Sequence, residues 1–223
     1  MNAAPLEALL MELGGPRAGA RAVRDRAWWV YAAVVAAAGP LYGAMMGSFF
    51  WSPERVLMVV YAAAKVPVLI FATTAVCLPG FFVLNTVLGL RGDFGRAMRA
   101  ILGSQAALTV ALASLGPLTR FFYFCGATHR GALLFNAAMF TLATAAAQVA
   151  LVRRYGPLAR DPVLGLRHRL MLWAWVGLYA FVGVQMGWML RPFVGAPAQP
   201  VTFFREEPFS NAYIVIVRLI SGG

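Results

Sequence analysis

The chain has 223 residues, 61% of them hydrophobic and only 12% charged, with a mean hydropathy of +0.73. A soluble domain of this size has no need for so much apolar surface and could not solvate it. The net charge of +11 does not point to nucleic acid, because the arginines fall in short segments between apolar runs, where they set topology and meet anionic lipid headgroups.

Residues 1–26 read as a polar N-terminal segment on the cytoplasmic side. Leu6, Leu9, Leu10 and Leu13 recur at helical spacing, so residues 5–13 are expected to form a short amphipathic helix lying on the inner leaflet. Gly14, Gly15 and Pro16 end it, and Arg17, Arg21, Arg24 and Arg26 follow. Glu7 and Glu12 stand where a cleaved leader has basic residues, and the first long apolar run starts at Ala27; that run is expected to stay as an anchor.

Five spans are expected, as an all-α transmembrane bundle over residues 27–191. The first covers about 27–50, with Trp28, Trp29 and Tyr31 at one interface and Phe49, Phe50 and Trp51 at the other. The second apolar run is 56–90, the third about 98–119, the fourth about 131–152 and the fifth about 170–190. Placing the N-terminus inside puts twelve arginines in inner segments and six in outer ones, which favours an N-in, C-out topology. Residues 192–223 are then an extracytoplasmic tail. Its β-branched run 214–217 suits a strand or an interfacial segment.

Glycine spacing is the clearest pattern. Gly39, Gly43 and Gly47 follow one another at four-residue intervals in the first span, and Gly183 and Gly187 repeat that interval in the fifth. Small residues on one face let a second helix backbone approach closely, so these five are expected to pack helix against helix. Pro40 is expected to kink the first span.

Polar side chains inside the spans are few: Asn85, Gln105, Asn136, Gln148 and Gln185. Interhelical hydrogen bonds account for them. Lys65, Asn85 and Gln185 are the candidate contacts for lipid or ligand. No acid lies within any expected span, which argues against proton-coupled transport. His129 and His168 fall on opposite sides of the membrane, and no HExxH pattern or intramembrane carboxylate pair accompanies them. "LGLRGDFG" (88–95) follows an apolar helix and reads as a tight inner turn. Cys77 and Cys125 are too few for a disulfide framework. Neither a metal site, a cofactor site nor an enzyme activity is expected.

Lys65 is the only lysine in the chain and the only charge between Arg55 and Arg91. If the midpoint of the 56–90 run sits at the bilayer centre, Lys65 lies just inside the outer edge and its ammonium snorkels to the headgroups, the reading preferred from sequence. If the run breaks at Pro79, Lys65 is mid-membrane, and a lipid phosphate or a partner's carboxylate is its expected companion.

The stretch "LPGFFVLNTVLGLRGDFGRAMRAILGSQAALTVALASLGPL" (78–118), with "LYGAMMGSF", "KVPVLIFAT" and "VGVQMGWMLRPFVG", resembles the bacterial branch of the Yip (Ypt-interacting protein) domain family over about residues 27–195. The resemblance implies five spans, a cytosolic N-terminus and residence in a bacterial cytoplasmic membrane. It brings no catalytic residues. The function expected is a non-catalytic scaffold or accessory subunit of a larger membrane assembly, with lipids and other subunits or further copies of the chain as partners. The alternative is a transporter or channel for a small or lipidic solute.

Overall fold

The computed structural model describes residues 28–195 and 201–204. The expected helix at 5–13 and the run at 214–217 lie outside those residues. Among the described residues there is no strand, and five helices are long and apolar enough to cross a membrane. They are α1 (Trp28–Gly47), α2 (Val56–Val87), α3 (Phe94–Phe124), α4 (His129–Ala159) and α5 (Gly165–Met189).

The helices run longer than their apolar cores. α3 begins with Arg96 and Arg99 already helical, α4 ends through Arg153 and Arg154, and α5 carries Arg167 and Arg169 in its first turns. Segments that sequence reads as inner loops, 91–99 and 153–169, are therefore mostly helix. Arginine is a good helix former, and its long stem lets the helix continue while the charge stays wet. The turns left between these helices are short. Gly89, with φ +73°, turns the chain out of α2, and a 3-10 turn at Arg91–Asp93 leads into α3.

α2 settles the 56–90 run. It is a single 32-residue helix, with Pro67 and Pro79 inside it, and no separate segment begins at Pro79. At about 1.5 Å per residue it is about 48 Å long, well beyond a hydrocarbon core of about 30 Å.

Contacts close the bundle into a ring ordered α1, α2, α5, α4, α3. Three contacts define its two ends. His168 at the start of α5 meets Asp93 before α3, and Arg167 Nη1 donates to Leu88 O after α2. At the opposite end, Arg120 Nη1 on α3 donates to Ser48 O after α1 at 2.8 Å. The first is the arginine-rich end, which also holds the start of α1, since the Arg154 guanidinium stands 5.9 Å over the Tyr31 ring. The second is called the far end below.

The core divides by depth. Toward the far end, Tyr42, Met46, Val66, Ile70, Leu112, Met139 and their neighbours form one apolar cluster. Toward the arginine-rich end, Phe81, Ile101, Leu151, Tyr155, Met171 and Trp175 anchor another. Thr73 and Thr74 separate the two along α2, and Ser104 and Gln105 along α3. Tyr179 on α5 reaches into this level and donates to Gln105 Oε1 at 2.8 Å.

Candidate functional site

The α1 glycines face α2, as their spacing predicts. A Cβ at Gly43 would overlap the Ala62 carbonyl, one at Gly47 would stand 2.7 Å from Ala62 Cβ, and one at Gly39 would stand 3.2 Å from the Pro67 ring. Pro67 thus fills the groove opened by Gly39. The fifth-span glycines behave differently. Gly183 lies 3.7 Å from Thr73 Cγ2 by the same measure, an ordinary contact, and Gly187 meets nothing within 4 Å among the described residues. Gly187 therefore packs no helix there.

The seam places Lys65. Buried residues on α2 recur as Met58, Ala62, Lys65, Val66, Ile70 and Thr73, so the lysine sits in the inward stripe, beside the residues that receive the α1 glycines. Its side chain is 0% exposed. Snorkelling to the headgroups, expected from sequence, does not occur. Nζ instead donates to Pro192 O at 2.6 Å and to Thr202 O at 3.2 Å. The rings of Phe193 and Phe203 lie 5.9 and 5.3 Å from it, within the range of cation–π attraction.

These partners come from beyond α5. Residues 192–195 and 201–204 fold back over the far end instead of hanging from it. Val194 is 3% exposed and belongs to the far-end apolar cluster. Phe203 meets Tyr61 edge-on at 5.4 Å, and the Gly195 backbone approaches Met58. Two carbonyl dipoles and two aromatic faces surround the ammonium, and helices α1 to α5 contain no Asp or Glu. Among the described residues, the groups that touch this charge are neutral. Sequence gives little warning of it, because "RPF" and "TFF" lie 127 to 137 residues from Lys65.

The other two candidate contacts are more ordinary. Asn85 is buried on α2 and donates to Phe81 O one turn back at 3.1 Å, while its Oδ1 has no hydrogen-bond partner among the described residues. Gln185 is half-buried on α5. Asn85 does not lie beside Lys65 in the fold: it is near the arginine-rich end of α2, twenty residues along the helix.

Asn136 carries more than a single bond. It accepts from Tyr42 Oη at 2.9 Å and donates to Tyr123 Oη and to Ala132 O, joining α1, α3 and α4 in a buried network. At the arginine-rich end a second polar cluster forms that sequence reading does not assemble. His168, 1% exposed, has Nε2 3.1 Å from Asp93 Oδ2 and Nδ1 3.4 Å from Tyr155 Oη. Asp93 also pairs with Arg96. The members lie 75 and 13 residues apart, and only the return of α5 beside the α2–α3 turn brings them together. His129, by contrast, lies at the far end against Phe49 and Phe50. No group of three or more His, Cys, Asp or Glu among the described residues has the geometry to hold a metal ion.

Asp161 opens α5. Its Oδ1 accepts from the amides of Val163 and Leu164, both at 2.8 Å. Those bonds hold its carboxyl below the usual carboxylate range. They hold the turn that leads into α5, which begins at Gly165, five residues ahead of its expected apolar start.

The chain matches no family model, no curated protein and no solved structure.

Proposed function

We propose that this multi-pass membrane protein is a non-catalytic scaffold or accessory subunit, joined to its assembly through the lipid-facing side of α5. The observation that carries the reading is the uneven burial of the bundle. In their most apolar stretches, α3 is 56% buried within the chain but α5 only 17%. α5 presents Leu170, Trp173, Phe181 and Val184 outward. A neighbouring transmembrane helix is well suited to that side, because helices in lipid associate by van der Waals packing and do not need a polar patch.

The same proposal places the arginine-rich end in the cytosol of a bacterium and the chain in its cytoplasmic membrane. Among the described residues, eight arginines lie at that end and four at the other, which supports the N-in orientation. Membership of the bacterial Yip branch belongs to the proposal too; five apolar helices agree in number with the spans that the resemblance implies.

A photoreactive amino acid at Trp173 or Phe181, irradiated in native membranes, tests the reading. A discrete adduct with another membrane protein, or with a second copy of the chain, is expected from these positions and not from Leu133 or Leu134 on α4. Adducts with lipid alone at both α5 positions would sink it. The alternative, a transporter or channel for a small or lipidic solute, draws support from one observation, the buried charge of Lys65. Unaltered solute flux or lipid binding in Lys65→Met would remove that support.

A further inference from the structure

We propose that Lys65 is the recognition point of a site for the oxyanion headgroup of an amphiphile, and that the C-terminal segment occupies this site in the structure described. An ammonium removed from water is costly unless it is paired, and an apolar side chain of similar size would seat the same segment without that cost. Lys65 is 0% exposed, yet its hydrogen-bond partners are two neutral carbonyls, Pro192 O and Thr202 O. Glu54, at the mouth of α2, is exposed and does not pair with it. An ionisable group inside a span with no counter-ion among the described residues marks a functional site.

The surroundings indicate what the missing partner is. Phe193, Phe203 and Tyr61 supply apolar and aromatic faces suited to an acyl chain, and the Lys65 ammonium suits a carboxylate or phosphate. Lys65 lies nine residues into α2 from the far end, about 14 Å along the helix and within reach of a lipid headgroup. The ammonium is fully enclosed beneath Pro192 and Thr202, so an anion from outside can reach it only past them. Binding therefore requires Pro192 and Thr202 to withdraw. These residues belong to no helix, so their withdrawal breaks few backbone hydrogen bonds. The C-terminal segment and the amphiphile compete for one ammonium.

The test uses the full chain in phosphatidylcholine nanodiscs, with spin labels at Phe204→Cys and Leu57→Cys, two exposed far-end positions, after Cys77 and Cys125 are changed to serine. The label separation is measured by pulsed electron resonance while oleate, dioleoyl phosphatidic acid or free inorganic phosphate is added. Expected is a longer-distance population that grows with oleate and with phosphatidic acid, that does not appear with inorganic phosphate, and that persists in Lys65→Arg. Lys65→Met should abolish the dependence on the amphiphile. An unchanged distance with both amphiphiles would overturn the proposal, as would the same response in Lys65→Met. A response to inorganic phosphate equal to that to phosphatidic acid would overturn the assignment of the anion to an amphiphile. Should Lys65→Met not fold, Lys65→Gln, which retains donors without the charge, takes its place with the same expected loss.

Discussion

Gly43 on α1 lies against Ala62 on α2 so closely that a single added carbon would overlap the Ala62 carbonyl. Backbone cannot yield there as a side-chain tip can. Gly43→Ala should therefore push α1 and α2 apart and destabilise the bundle by about 1–3 kcal/mol. Gly187→Ala, where nothing described lies within 4 Å, should be nearly neutral. Unfolding by SDS titration in mixed micelles measures both, and equal effects at the two glycines would contradict the seam.

Removing Asn136 strands two buried phenols. Tyr42 Oη loses this acceptor and Tyr123 Oη loses this donor. Asn136→Ala is expected to destabilise the fold by about 1–2 kcal/mol, the upper range for hydrogen bonds between membrane helices. In a Tyr42→Phe, Tyr123→Phe background the same change should have a smaller effect, because fewer polar groups are left orphaned. Additive losses would show that the network is not coupled.

The His168–Asp93 contact ties the start of α5 to the α2–α3 turn. Asp93→Asn and His168→Phe should each lower stability by about 1–3 kcal/mol, since each leaves a buried polar group incompletely satisfied. The double substitution should fall short of the sum by about 1 kcal/mol. Tyr155→Phe, whose hydroxyl stands 3.4 Å from the ring, should have the smaller effect. A double-mutant cycle in micelles decides the point; zero coupling would mean that the pair is incidental.

Asp161 supplies a pH dependence of known sign. Its folded-state pKa is lowered by the amide bonds from Leu164 and Val163, so its contribution is complete above the usual carboxylate range and is lost as pH falls through the lowered value. The Val163 and Leu164 amides should lose exchange protection only below the usual carboxylate range. Asp161→Ala should show that loss at neutral pH, while Asp161→Asn, which keeps an acceptor oxygen, should retain most of the protection. Protection in Asp161→Ala equal to that of the parent at neutral pH would rule the cap out.

Much of the architecture was legible in sequence, and for one reason. A hydrocarbon slab demands apolar helices of a minimum length, so five runs in the sequence become five helices, and interfacial tryptophans such as Trp28 and Trp29 stand at their ends. The Gly39–Gly43–Gly47 face was legible too, because only glycine permits that backbone approach. The inward face of α2 was not. Its residues are apolar on all sides, and lipid is as apolar as leucine, so polarity leaves no stripe to mark which side meets protein. Shape decides instead, and shape exists only once the helices are assembled. That is why Lys65 reads as an anchor beside the headgroups yet lies enclosed by Pro192, Phe193, Thr202 and Phe203. Asp93, His168 and Tyr155 follow the same logic. The sequence by itself determined where, among the described residues, the five helices long and apolar enough to cross a membrane lie; only the tertiary structure decided which buried groups face one another, because that depends on how helices without polar contrast fit together.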